Sequence, residues 1–227
     1  MLEKASELLS SDTFAAIDYL NKRGNPKATI DTYGKSVNKL YWKKKHLPNA
    51  IIMAVAGIQY AMLEAHAHQT TNPQLAAEFL GDAKAMAYDL ASFTWPGWNE
   101  PGIVINQTDK HIGLEAAKTN LRLAKELSRG DLPLCRAYWI LGAQYLSNGA
   151  KDKARQAFDQ SADYARQAQE KGEELLATGY SAITTLVADS TNDAAKNRLA
   201  EVNAELEGLE NGKDFIAQLA TALKVFS

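Results

Sequence analysis

Four histidines, His46, His66, His68 and His111, are the side chains in this sequence best suited to holding a metal or moving a proton. A histidine and a carboxylate four apart share one face of a helix. Glu64 with His68, and His111 with Glu115, therefore each present two candidate ligands. His66 and His68, two apart, point about 200° from each other around a helix axis and cannot share an ion. No third ligand is signalled and no His-Glu-x-x-His motif occurs, so both pairs read as surface contacts and no metal is expected. Cys135 is the only thiol. Arg136 beside it would lower its pKa, but a place at the start of a packed helix predicts a small buried hydrophobe. There is no Gly-x-Ser-x-Gly elbow and no glycine-rich phosphate loop following a strand. No catalytic residue and no cofactor is expected.

Two stretches could bind rather than react. Tyr41-Trp42-Lys43-Lys44-Lys45-His46 closes a helix, and residues 1–50 carry a net charge of +4 against −6 for the remainder. Such a cluster could touch RNA or an acidic partner. The simpler reading is a solvated helix C-terminus, where cations favour the negative end of the dipole. The second stretch is 94–108, where Trp95 and Trp98 flank Pro-Gly and Glu100-Pro101-Gly102 follows. Aromatics held in a rigid loop make binding anchors. The alternative is that both tryptophans tuck back and bury their large apolar area.

The elements that must position these residues are helical. The chain has 227 residues, enough for one sizeable core. Its 37 alanines and 26 leucines against 11 isoleucines and 6 valines favour helix over strand. Pro26, Pro48, Pro73 and Pro133 each stand at the start of a helical pattern, where a missing N–H leaves no bond unmade. Asn25 and Asn72 are natural caps, and Asp12 is another candidate. Apolar residues recur at three-and-four spacing through Ile30, Tyr33, Val37 and Leu40, and again through Leu114, Ala117, Leu121 and Ala124. The run Ala50–Leu63 is apolar almost all round. It falls short of the ~20 residues that span a bilayer and predicts a core helix covered by the N-terminal segment. Short Asn-Gly, Lys-Gly and Ser-Thr-Asn turns make successive helices antiparallel, which gives roughly ten helices in stacked hairpins. A net charge of −2 argues against a general nucleic-acid binder and against a surface built to grip anionic lipid. The charged N-terminus carries no secretory h-region, and a lone cysteine fits a reducing compartment, so the expected location is cytoplasmic.

One segment carries a repeat signature. Tyr138-x2-Leu141-Gly142-x2-Tyr145 is followed by Ala154-x3-Phe158, with small residues where two helices would cross and large ones around the crossing. Residues 138–158 resemble a tetratricopeptide repeat. Gly57 and Tyr60 repeat part of the motif ahead of the Pro73 helix, and Gly179 and Ala182 echo it 37 residues after Gly142. The proline that ends such a repeat is replaced by Arg166. The Asp109 helix stands as an odd member between two hairpins, and 94–108 matches nothing in the family. The resemblance implies an all-α, right-handed α-α superhelix forming a single domain over 1–227. Within it, 1–47 would pack on the array, 48–190 would form the hairpins, and 191–227 would cap the end.

What the resemblance implies for function is a non-catalytic scaffold that binds a protein or peptide in a concave groove. The groove-facing positions of the matched repeat would be Arg136, Trp139, Ala143 and Leu146. The alternative is an enclosed protein that holds a small molecule, with or without enzymatic activity, behind Trp95 and Trp98 and beside His111. The C-terminal helix, with Phe215, Leu219, Ala222, Leu223 and Phe226 in one stripe, is expected to pack on its predecessor and end the stack. The same stripe would also serve a homodimer contact.

Overall fold

The computed structural model describes residues 1–9 and 11–227, apart from the side chain of Leu2. Among the described residues there are eleven α-helices and no strand. They are α1 (Leu2–Leu9), α2 (Thr13–Asn21), α3 (Pro26–Asn38), α4 (Leu47–His68), α5 (Pro73–Phe93), α6 (Gln107–Glu126), α7 (Asp131–Ser147), α8 (Lys151–Gln167), α9 (Lys171–Ala188), α10 (Asp193–Glu207) and α11 (Gly212–Phe226). A π-helical turn, Lys39–Lys43, continues α3, and a 3-10 turn, Pro96–Trp98, interrupts the 94–108 loop.

The starts follow from the local chemistry. Asp12 accepts from the amides of Phe14 and Ala15 and opens α2. Asn25 and Asn72 cap α3 and α5, each followed at once by proline. α6 begins slightly earlier than its pattern implies because Asn106 and Asp109 form a reciprocal capping box. α4 runs 22 residues and is, by length and composition alone, apolar enough to cross a membrane. In this fold nine of its residues are buried, and it packs on α2, α3 and α5. Its face is not covered all round, since Leu63 is 69% exposed.

Each helix from α3 onward packs on its neighbour in sequence, the most extensive contact being α7 on α8. The odd-numbered helices also touch next-but-one: α3 on α5, α5 on α7, α7 on α9 and α9 on α11. No comparable contact joins α4 to α6, α6 to α8 or α8 to α10 among the described residues. From α4 onward the array is therefore a superhelical one in which the odd helices crowd along an inner layer and the even helices splay outside, while at the N-terminal end α2 also touches α4. This corrects the expected pairing. The Asp109 helix, α6, is no odd member but the outer partner of α5. Gly57 in α4 packs on Tyr33 of α3 and Met86 of α5, bridging two inner helices.

At the best-matched repeat, a Cβ on Gly142 would lie 2.8 Å from the ring carbons Cδ1 and Cε1 of Phe158. The tight crossing of α7 on α8 is thus made against Phe158, the last residue of the signature, where the spacing had pointed to Ala154. The C-terminal helix departs from expectation in a similar way. α11 packs on α10, but it also crosses α9 and reaches the 3-10 turn. Gly172 and Gly179 sit two turns apart on α9 and admit Phe215 and Leu219 at distances a Cβ would forbid.

Candidate functional site

A cavity of about 500 Å³ opens along the inner layer. α5 contributes Lys84, Tyr88 and Asp89, α7 contributes Arg136 and Trp139, and α9 contributes Glu173 and Leu176. Phe215 and Gln218 of α11 close one side, and Trp98 closes another. Four inner helices and the long loop thus meet at one groove.

The loop is built inward. Trp95 is fully buried and makes edge-on contacts with Trp98, Trp139 and Tyr180 at centroid separations of 5.0, 5.7 and 5.7 Å. Phe226 of α11 adds a fourth ring at 6.2 Å. Gly97 is required beneath this cluster, because a Cβ there would overlap the Trp95 ring. The indole of Trp98 donates to the carbonyl of Ser92 at 3.0 Å, which pins the half-buried ring at the groove edge. The fully buried amide of Gln144 donates to the carbonyl of Ala91 at 2.6 Å and ties α7 to the end of α5, where the loop departs.

The groove mixes charge with aromatic surface. Arg136 Nε donates to Glu173 Oε1 at 2.8 Å across α7 and α9. Among the described residues Lys84 has no ion-pair partner. Burial, then the nearby Arg129 and Arg136, holds its ammonium below the usual lysine range. Burial pushes the Asp89 carboxyl up, opposed by a hydrogen bond from Asn38. Burial, reinforced by Glu173, likewise pushes the Tyr88 phenol up. A charged or hydrogen-bonding ligand would meet groups already partly stripped of water.

The expected site residues separate into two sets. Arg136, Trp139 and Trp98 come together at the groove. Trp139 forms part of its wall but is only 5% exposed, because Trp95, Trp98 and Tyr180 pack around it. Ala143, Leu146 and Trp95 are core residues. α7 is flanked by α5, α6, α8 and α9, so its second half has no free face. His111 lies elsewhere, in an outer cleft between α4 and α6, where its ring meets the amide of Gln107 at 3.1 Å. The placement does not enclose a cavity with Trp95, Trp98 and His111 on its walls. Sequence reasoning missed the groove contributions of α5 and α11. The i,i+4 spacing of Lys84 and Tyr88, with Asp89 next to it, is a signal only once the α5–α7 contact is known.

His68 is held by Glu64, with Nδ1 2.8 Å from the Glu64 carbonyl, and lies edge-on to Phe79. No group of three or more metal-ligating side chains gathers among the described residues. Cys135 is buried within 3.4 Å of the Ser161 hydroxyl, and burial pushes its thiol up to about 11. No protein-family description and no curated protein matches the chain.

Proposed function

We propose that this chain is a non-catalytic, tetratricopeptide-like scaffold of the cytoplasm that binds an extended protein segment along the inner groove. The observation that carries the reading is the single cavity shared by α5, α7, α9 and α11, the inner faces of successive hairpins. Support also comes from the repeat signature, whose glycine and phenylalanine meet at the α7–α8 crossing. Stacked helical hairpins commonly bind through extended concave surfaces. Here Trp98, Leu176 and Phe215 supply apolar anchorage, while Lys84, Arg136 and Glu173 supply direction.

The test is a set of peptides selected for binding from a random library, titrated against wild type and variants. Trp98→Ala and Gln218→Glu should each weaken binding by about tenfold or more. Leu63→Glu, on the outer layer, should leave it unchanged. Selected peptides that bind all three variants equally would remove the groove from consideration. The second reading, a small molecule held at the Trp98 edge, draws on the cavity volume, which falls within the ordinary range for small-ligand sites. Binding of small molecules with no peptide selected would favour it.

A further inference from the structure

The basic stretch that closes α3 forms part of a second cavity, about 360 Å³, whose lining residues are distinct from those of the groove. Its polar walls are Ser6 of α1, Ser36 of α3, Lys39, Lys44, and His46 and Asn49 at the start of α4. Among the described residues no aspartate or glutamate lines it. The π-helical turn makes this arrangement. On a regular helix Lys39 and Lys44, five apart, would stand about 140° from each other. Here the Lys44 amide donates to the Lys39 carbonyl at 3.1 Å and the His46 amide to the Leu40 carbonyl at 2.9 Å, which folds the segment around one space. Widened turns of this kind are frequent at functional sites.

Further features point to an anion. Ser36 is 1% exposed and its Oγ has no hydrogen-bond partner among the described residues, an unmet polar group at the wall of a cationic cavity. The positive end of the α4 dipole lies beside the cavity, with its Asn49 and Ala50 amides already bonded to His46. His46 Nδ1 accepts from the Asn49 amide at 3.3 Å, so its proton resides on Nε2, which is left to donate. Lys39 Nζ donates to Ser6 Oγ at 3.1 Å, which frees the Ser6 hydroxyl proton to point onward. Among the described residues Lys44 has no ion-pair partner, and Lys45 turns away to pair with Glu100.

We propose that this cavity binds a soluble phosphate monoester of small-metabolite size. Six donor side chains exceed what a carboxylate can accept, and two ammonium groups match a phosphate of about −2 charge. Leu9 and Leu40 complete the wall and offer apolar surface to a short carbon skeleton, for which the volume leaves room.

The experiment is calorimetric titration of the full chain with glycerol 3-phosphate and with inorganic phosphate, beside co-sedimentation with phosphatidylcholine vesicles containing phosphatidic acid. Saturable one-site binding of glycerol 3-phosphate is expected, weakened about tenfold or more by Lys44→Gln. Ser36→Ala should weaken it severalfold, yet melt no lower than wild type without ligand, because it removes an unpaired buried hydroxyl. Wild-type affinity in both variants would overturn the proposal, as would the absence of saturable binding. Vesicle binding without binding of the soluble probe would overturn it too, by assigning the cations to a lipid surface.

Discussion

Replacing Gly142 with alanine adds one methyl group at the crossing of α7 and α8. The new Cβ would stand 2.8 Å from two ring carbons of Phe158, well inside the ~3.5–4.0 Å of a relaxed carbon contact. The ring has little room to retreat. Phe158 is fully buried and stacks on Tyr180 at 5.1 Å, and Tyr180 is itself held by Trp95 and Trp139. Overpacking of this kind costs about 1–3 kcal/mol. Alanine returns about 0.8–1.0 kcal/mol through its better helix propensity. The net expectation is a loss of about 1 kcal/mol, a fall in Tm of about 2–4 °C for a chain of this size. Thermal unfolding followed by circular dichroism at 222 nm reads it. The control is a double-mutant cycle with Phe158→Leu. Once the ring is gone, Gly142→Ala should become neutral or stabilising by up to about 1 kcal/mol. A Gly142→Ala protein that melts at or above wild type would refute the reasoning, since the ring would then be free to move.

Other outcomes follow from the same contacts. Asn106→Ala breaks the capping box at α6 and should destabilise by about 1 kcal/mol in urea titration; an unchanged midpoint would mean the cap contributes nothing. Phe226→Asp places a carboxylate beside the Trp95 cluster and should lower stability by about 1–3 kcal/mol. Both wild type and this variant should sediment as monomers, whereas a wild-type dimer that dissociates in the variant would assign the α11 stripe to a two-fold contact. Stability should also fall from about pH 8.5 to 12. Burial pushes Cys135 up to about 11 and Tyr41 up to about 12, so the unfolded chain releases these protons first and is favoured as pH rises. Urea midpoints that stay level between pH 8 and 11 would contradict this.

The helices were legible because their punctuation is local. Asn25-Pro26, Asn72-Pro73 and Asp12 act within one turn, and each cap forms where the residue types place it. The inward turn of the tryptophan loop was also open to reading, as one of two alternatives, because Trp95 has more apolar area than a short loop can leave in water. Layer membership was not legible. Gly57-x2-Tyr60 imitates half of the repeat motif, yet Gly57 receives Tyr33 and Met86 from separate helices. The path of α11 depends on Gly172 and Gly179 of α9, whose shared face matters only when another helix crosses it. Trp139 was expected to face an open groove, yet it lines the cavity as a nearly buried wall residue. Its burial comes from Trp98 and Tyr180, which lie far from it in sequence and reach it only through the superhelical curvature.

The four tryptophans offer the most direct measurement of the groove assignment. In a 15N-labelled sample each indole N–H gives its own resonance, and the four rings lie at distinct places: Trp98 and Trp139 at the groove, Trp95 beneath it, and Trp42 exposed on the π-helical turn. Titration with a selected peptide should shift Trp98 and Trp139 most and leave Trp42 in place. Shifts confined to Trp42, or a saturated complex in which no indole resonance moves, would contradict binding along the inner layer.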